Sequence, residues 1–236
     1  MRRMVFGLVV VAAWAFSTAA AAAQEATPAG VPANLQATVD NPLFPLASTP
    51  IKVFVGVEED PDTGETVTLR VEETVLPLPQ AVAGIEVTVV DVKEFENGEL
   101  KEATLDYYAQ DAEGTVYYIG ETVDNYEDGE IVDHEGEWLA GEGDNQAGIF
   151  MPASPEPGQE FEQERAPGIA EDRSTIIALD RAVTTDAGSF TACMETEDLA
   201  PLDDVVETKF YCPEVGLVRE EFPGGHLDLI WFSPPR

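Results

Sequence analysis

The chain has 236 residues, with 46 Asp and Glu against 12 Lys and Arg, and a formal net charge of −34. A charge this negative excludes nucleic acid as a partner, because such a partner requires cationic side chains that neutralise its phosphates. Hydrophobic residues make up 44% of the chain, which is too many for a wholly disordered acidic protein and predicts a packed core. Two cysteines are too few for a disulfide-dense scaffold or an all-cysteine zinc site.

The N-terminal segment has the organisation of a secretory signal peptide. Arg2 and Arg3 precede an uncharged, apolar stretch that ends in small residues before Gln24. The alternative is an uncleaved membrane anchor, since about 19 apolar residues can span a bilayer. The Ala-rich second half favours a signal peptide over residues 1–23. We therefore expect a secreted or periplasmic protein that does not span the membrane after cleavage, with a flexible linker over 24–35 and a single all-β domain over 36–236.

Cleavage would sharpen the acidity of the chain. Loss of Arg2 and Arg3 leaves 46 acidic against 10 basic residues, a net charge of −36. Such a surface suits high ionic strength, where salt screens the self-repulsion, and it also suits a protein that collects divalent cations. The residues leave both alternatives open. We expect the carboxylates to lie mainly in hairpin turns and at outward strand positions.

The sequence from Ile51 onward predicts strands joined by tight turns. Strands are predicted over 51–57, 66–71 and 85–92, with clear alternation of apolar and polar residues over 66–71, and no amphipathic helix of ten or more residues is evident. Asn97-Gly98 is a strong hairpin signal, because both residues accept a positive φ. Further turns at 111–114 and 127–130 predict an antiparallel meander.

The C-terminal half continues the same pattern. Segment 141–158 is rich in Gly and Pro and is predicted to be an irregular loop. The segment Asp40 to Leu46 places apolar residues between prolines, and we expect it to be extended and to cross an open end of the core. The fold class that follows is all-β: an antiparallel meander of about ten strands that forms a sandwich or a strongly curved half-barrel. Strands are also predicted over 103–109, 115–120, 131–138, 159–165, 175–183, 188–196, 205–211, 217–221 and 227–232.

The two cysteines lie on neighbouring predicted strands. In an exported protein, Cys193 and Cys212 are expected to form a disulfide, and the alternative is two separate buried thiols. A symmetric hairpin centred on Pro201 would place Cys193 opposite Lys209. A bulge or an asymmetric loop would then be needed to bring the cysteines together.

Aromatic residues suggest a ligand-binding face. Successive side chains of a strand point to opposite sides, so one ring of each Tyr-Tyr pair faces the core and the other faces the second side. If that second side is concave, Tyr108, Tyr118 and Trp138 would suit a small apolar or sugar-like ligand. The alternative is that these rings form cross-strand pairs that only stabilise the sheet.

Carboxylates suggest two further sites. Residues 124–135 partly fit a twelve-residue calcium loop, with Asp124, Asp128 and Glu135 as metal ligands, although Tyr126 occupies a ligand position. The alternative is a solvated hairpin, and no other cofactor is expected. Glu171 and Asp172 are the least arbitrary candidates for a catalytic acid pair, but carboxylates are so abundant in this chain that such a pair carries little information.

Several motifs resemble a family of bacterial secreted proteins of unknown function with a β-meander layout. They are Leu105 to Glu121, Gly136 to Gly141, Gly148 to Ala153, Ala166 to Asp172 and Tyr211 to Val218. The resemblance implies export and an all-β fold and leaves the chemistry open. We expect a non-enzymatic protein that binds a ligand or an envelope protein. The alternatives are a secreted hydrolase that uses a carboxylate pair and a calcium-stabilised surface protein.

Overall fold

The structure is a computed structural model that describes residues 30–59 and 64–233. The predicted signal peptide and residues 24–29 of the predicted linker lie outside the described residues. The described part of the chain contains fifteen strands and no helix, so the all-β prediction is confirmed and the estimate of about ten strands is wrong. No helix in this part is long and apolar enough to cross a membrane.

The strands are numbered in chain order. They are β1 Ile51–Glu59, β2 Thr66–Val75, β3 Gln80–Val82, β4 Ile85–Glu96, β5 Glu99–Gln110, β6 Val116–Glu127, β7 Glu130–Asp133, β8 Trp138–Leu139, β9 Gly148–Met151, β10 Glu160–Glu162, β11 Arg173–Thr185, β12 Gly188–Ala200, β13 Val205–Cys212, β14 Gly216–Phe222 and β15 Gly225–Phe232.

The strand count was underestimated because β3 and β9 were missed and because the predicted strand 131–138 is divided into β7 and β8. β3 and β9 have three and four residues, too few for an alternating pattern to stand out. β9 lies within segment 141–158, which the sequence predicted to be irregular throughout. Its Met151 is buried, and β9 pairs with β6.

All strand pairs are antiparallel, and the strands form one unclosed sheet. The order across the sheet is β10-β11-β12-β13-β14-β15-β1-β2-β4-β5-β6-β7, with β3 beside β4 and with β8 and β9 beside β6. The predicted meander is confirmed, because β4, β5, β6 and β7 are successive neighbours. The turn at Asn97-Gly98 has φ values of 50° and 85°, as a tight hairpin of this kind requires.

The hairpin that carries the cysteines differs from the predicted one. Strand β12 pairs with β13 so that Met194 faces Tyr211 and Thr196 faces Lys209. The hairpin is therefore centred between Leu202 and Asp203 rather than on Pro201, and the same register brings Cys193 opposite Cys212 without a bulge. The predicted disulfide between these two residues is confirmed.

The sheet is strongly curved. Strands β13 and β5 are six positions apart in the sheet, which would separate them by about 29 Å if the sheet were flat. Nevertheless Lys209 of β13 and Asp106 of β5 line the same cavity. The strands between them must therefore bend around a concave face.

The segment before β1 closes one end of the core. Phe44 and Leu46 are buried, and the Asn41 amide donates hydrogen bonds to the carbonyl oxygens of Gly114 and Pro152. The segment forms turns rather than the predicted extended chain, because the Phe44 N–H donates to the Asn41 carbonyl oxygen. Further upstream, the Ala147 N–H donates to the Gly30 carbonyl oxygen.

Candidate functional site

A cavity of about 770 Å³ lies on the concave face of the sheet. It is lined by seven strands that are neighbours in the sheet: β13, β14, β15, β1, β2, β4 and β5. A cavity of this size is within the range that holds small-molecule ligands. Ten of its described lining residues are apolar: Phe54, Leu69, Val71, Val92, Phe95, Val205, Leu217, Phe222, Pro223 and Leu227.

The remaining lining residues give the cavity a negative charge. Eight carry carboxyl groups and three are cationic. The carboxyl residues are Glu58, Glu59, Glu73, Glu94, Glu96, Asp106, Glu207 and Glu220, and the cationic residues are Arg70, Lys101 and Lys209. The lining therefore combines apolar side chains with carboxyl groups, and the two kinds lie beside each other, since Val71 of β2 pairs with Glu94 of β4.

Lys209 is the cation that contacts several of these carboxyl groups. Its Nζ lies 3.0 Å from Glu207, 3.6 Å from Asp198 and 3.7 Å from Glu220. Burial lowers the pKa of Lys209, but these three carboxylates outweigh burial and raise the pKa well above its usual range. Lys209 is therefore fixed as an ammonium group that is shared among three acids.

Glu207 and Glu220 behave as an acid pair. They face each other across Lys209 and interact through a side-chain hydrogen bond. Burial raises the pKa of Glu220 to about 7, whereas Lys209 overcomes burial at Glu207 and lowers the pKa of that carboxyl. Two hydrogen-bonded carboxyls lie closer together than the roughly 5–9.5 Å that separates the two acids of a glycosidase.

Asp106 lies between the cavity and the aromatic core. Its carboxylate accepts hydrogen bonds from the hydroxyls of Tyr108 and Tyr118, at 3.3 and 3.2 Å. Burial nevertheless raises the pKa of Asp106 to about 7, because the desolvation cost exceeds the effect of these hydrogen bonds. Burial also raises the pKa of both tyrosines well above the usual range, so both hydroxyls remain donors.

Other carboxyls on this side of the sheet also have raised pKa values. Burial raises the pKa of Glu94 to about 7 and that of Glu121 to about 9, and neighbouring carboxylates add to both shifts. Glu164 has a pKa of about 7 and Asp172 of about 6, again chiefly through burial. These acids lack enough cationic partners to hold them ionised.

The expectation that carboxylates lie in turns and at outward positions is wrong for this group. Glu207 and Lys209 alternate along β13 with Val206 and Thr208, and the charged pair faces the cavity. Val206 is instead 45% exposed. Sequence reasoning missed the site for this reason, since a half-buried strand is expected to turn its apolar residues inward.

The predicted aromatic face lies next to Asp106, which lines the cavity. Tyr108 and Tyr118 stack with their ring centroids 4.9 Å apart, and Trp138 meets Tyr118 edge-to-face at 5.5 Å. All three residues are at most 5% exposed. Tyr108 also lines a cavity of about 60 Å³ that shares Asp106 and Leu217 with the larger one. Ligand binding by these three rings stays a prediction.

Gly120 explains how Trp138 reaches this position. Gly120 has a φ of 129°, and a Cβ at this residue would lie only 2.2 Å from the Trp138 carbonyl oxygen. Only glycine therefore allows β8 to pair with β6 at this point. The pairing brings the indole ring against Tyr118.

The predicted calcium ligands lie at the β6–β7 hairpin, away from the residues that line the cavity. Asp124 lies 3.0 Å from the His134 ring, and Asp128 forms the turn with a φ of 52°. Glu135 follows β7, and its N–H donates to Asp133. Within residues 30–59 and 64–233, no group of three or more His, Cys, Asp or Glu side chains is arranged to hold a metal ion. Calcium binding by Asp124, Asp128 and Glu135 stays a prediction.

Glu171 and Asp172 contact different groups. Glu171 accepts a hydrogen bond from the Gly168 N–H at 2.8 Å and lines a separate cleft of about 260 Å³ with Arg165 and Arg173. Asp172 instead interacts electrostatically with Lys209. A catalytic role for either residue stays a prediction.

Replacing Glu121 with glutamine is expected to stabilise the protein at alkaline pH. In the folded state Glu121 keeps its proton up to about pH 9, whereas in the unfolded chain it loses the proton near pH 4.5. The unfolded state therefore binds fewer protons between these limits, so stability falls as the pH rises through this window. We expect Glu121→Gln to raise the free energy of unfolding by about 1–3 kcal/mol at pH 8, after allowance for partial exposure, and by much less at pH 5.

Urea denaturation at the two pH values measures this effect. Glu130→Gln, at an exposed position of β7, is the matched control and should change neither value. Equal free energies of unfolding for the wild type and Glu121→Gln at pH 8 would show that burial does not raise the pKa of Glu121 in the folded protein.

Comparisons with known proteins identify no family for this chain. No protein-family model matches the chain, and no curated protein is similar to it in sequence. A solved structure described as a "putative lipoprotein" from Parabacteroides distasonis is similar at 14% identity, with a TM-score of 0.38. The similarity covers 84% of this chain and 100% of that chain. These values support no conclusion about family or function, and the resemblance to secreted bacterial proteins stays a prediction.

Proposed function

We propose that the protein is exported and binds a small ligand with an apolar body in the concave cavity, without acting as an enzyme. Export is supported by the signal-peptide pattern of residues 1–23 and by the Cys193–Cys212 disulfide, since disulfides persist in oxidising compartments. The cavity of about 770 Å³ is the observation that carries the binding proposal.

The shape of the sheet supports the same proposal. A half-barrel, rather than two packed sheets, accounts for seven neighbouring strands that share one cavity. In a sandwich the two inner faces would fill the space between them with interdigitated side chains. The half-barrel keeps an interior that a ligand can occupy, as in other open or closed barrels.

The apolar side chains that line the cavity would bury the body of the ligand. Phe54, Val71 and Leu227 come from three neighbouring strands and line one side of the cavity. Each methylene group of a ligand that moves from water to an apolar surface contributes about 0.8 kcal/mol of favourable binding free energy. This gain is independent of the ligand's charge.

The uncharged dye Nile red tests the proposal, since its fluorescence rises in apolar surroundings. We expect the wild-type protein to enhance the fluorescence saturably. Val71→Trp should weaken the enhancement, because the indole would occupy part of the cavity that Val71 lines. Val57→Trp is the control, because Val57 lies on β1 at a position that is 38% exposed.

Circular dichroism confirms that each variant is folded before the dye is added. A wild-type protein that leaves Nile red fluorescence unchanged would contradict the proposal. Equal enhancement by folded Val71→Trp and by the wild type would place the dye elsewhere and would also contradict it.

A further inference from the structure

We infer that the ligand of the concave cavity is an amphipathic organic cation, with an apolar body against the Phe54 side and an ammonium group against Glu94 and Asp106. This inference rests on the proposed function and specifies the chemistry of the ligand. Two observations support it: the unequal pairing of charges around the cavity, and the apolar side chains that line the same cavity.

The cations that line the cavity are already paired. Arg70 lies 2.7 Å from Glu72, and Lys101 lies 3.1 Å from Glu99. Lys209 is shared among three carboxylates. These side chains therefore leave little positive charge to attract an anionic ligand.

The carboxyls that line the cavity are only partly paired. Lys52 lies 3.2 Å from Glu73, and Lys209 serves Glu207 and Glu220. Among the described residues, no cationic group lies within 4 Å of the five remaining lining carboxyls. Those are Glu58, Glu59, Glu94, Glu96 and Asp106.

An ammonium group meets these requirements better than the alternatives. It supplies charge and hydrogen-bond donors, whereas an alcohol supplies no charge and a carboxylate would be repelled. A metal ion is less suitable, because no metal-binding arrangement of side chains is found within the described residues. The apolar side chains in the cavity favour an alkyl or aryl amine over a small, fully hydrated cation.

The pH dependence follows from the groups around Glu94. Glu102 and Asp106 of β5 and Glu220 of β14 face Glu94 and disfavour its ionised form, whereas Lys209 of β13 favours it. A cation would add to the effect of Lys209 and promote release of the proton. Binding should therefore strengthen as the pH rises from 6 to 8, with protons released to the buffer.

Calorimetric titration with octylamine, 1-octanol and octanoate at low salt tests the inference. We expect octylammonium to bind at least about tenfold more tightly than octanol at pH 8, and octanoate to bind most weakly. The heat of octylammonium binding should depend on the ionisation enthalpy of the buffer, and octanol should show no such dependence.

A pair of charge-removing variants locates the ammonium group. Glu94→Gln should lower the preference for octylammonium over octanol by about threefold or more, because it removes a cavity carboxylate. Asp91→Asn is the control: it removes a carboxylate from the same strand, but Asp91 pairs with Lys93 and does not line the cavity. It should leave the preference unchanged.

The outcomes separate this inference from the proposed function. If octanol and octanoate bind as tightly as octylamine, the cavity binds apolar ligands and the inference of a cationic group is wrong. A preference for octylammonium that Glu94→Gln and Asp91→Asn reduce equally would also overturn it. If none of the three probes binds and Nile red does not bind, the proposed function itself fails.

Discussion

Replacing Lys209 with methionine is expected to lower the free energy of unfolding by about 2–4 kcal/mol at pH 8, because the change leaves three carboxylates without a cation. Asp198, Glu207 and Glu220 all lie within 3.7 Å of the Lys209 Nζ. The estimate is reduced because the lysine side chain retains 22% of its exposure. Methionine keeps most of the apolar stem, so loss of charge dominates the effect.

The loss should be smaller at pH 5.5, at about 1–2 kcal/mol, because the carboxyls can then take up protons instead of facing one another ionised. Chemical denaturation of the wild type and Lys209→Met at both pH values measures the difference. Lys93→Met is the control, since Lys93 pairs with Asp91 and is 44% exposed. A pH-independent loss, or a loss equal to that of Lys93→Met, would contradict the role given to Lys209.

Removing the disulfide is expected to cost about 3 kcal/mol, because the Cys193–Cys212 bridge restricts a loop of about 20 residues in the unfolded chain. The double variant Cys193→Ala/Cys212→Ala should lower Tm by about 6–12 °C, since 1 kcal/mol shifts Tm by about 2–4 °C in a chain of this size. Both cysteines are at most 1% exposed, and alanine leaves little empty volume.

A reductant provides the control for this prediction. Dithiothreitol should lower the Tm of the wild type toward that of the double variant and should leave the double variant unchanged. If the double variant melts at the temperature of the oxidised wild type, the bridge contributes nothing to stability.

The fold was largely predictable because its signals are local. Alternation and turn residues such as Asn97-Gly98 specify strands and hairpins without reference to the rest of the chain. The disulfide followed from two cysteines on one hairpin, although the register was predicted around Pro201. The actual hairpin is centred between Leu202 and Asp203, which the residues of the loop do not reveal.

The candidate site was not predictable because it depends on curvature. Glu94 and Lys209 are 115 positions apart in the sequence, and they line one cavity only because seven strands bend around it. Local patterns carry no information about that bend. The aromatic residues gave a partial signal, since Tyr108 and Tyr118 donate hydrogen bonds to Asp106, which lines the cavity.

The abundance of acids concealed the site in a second way. With 46 Asp and Glu in the chain, no pair of carboxylates stands out in the sequence. Burial distinguishes them only in the folded state, where the pKa of Asp106 and of Glu220 rises to about 7. The environment of a carboxyl, rather than its presence, marks it as part of a site.

A crystal structure of the protein grown with octylamine at pH 8 would show whether the concave cavity is a ligand site. We predict density for the alkyl chain between Phe54 and Leu227, with the nitrogen within hydrogen-bond distance of the Glu94 or Asp106 carboxylate. An empty cavity at saturating octylamine, or density for the amine only outside the cavity, would show that the cavity is not the ligand site.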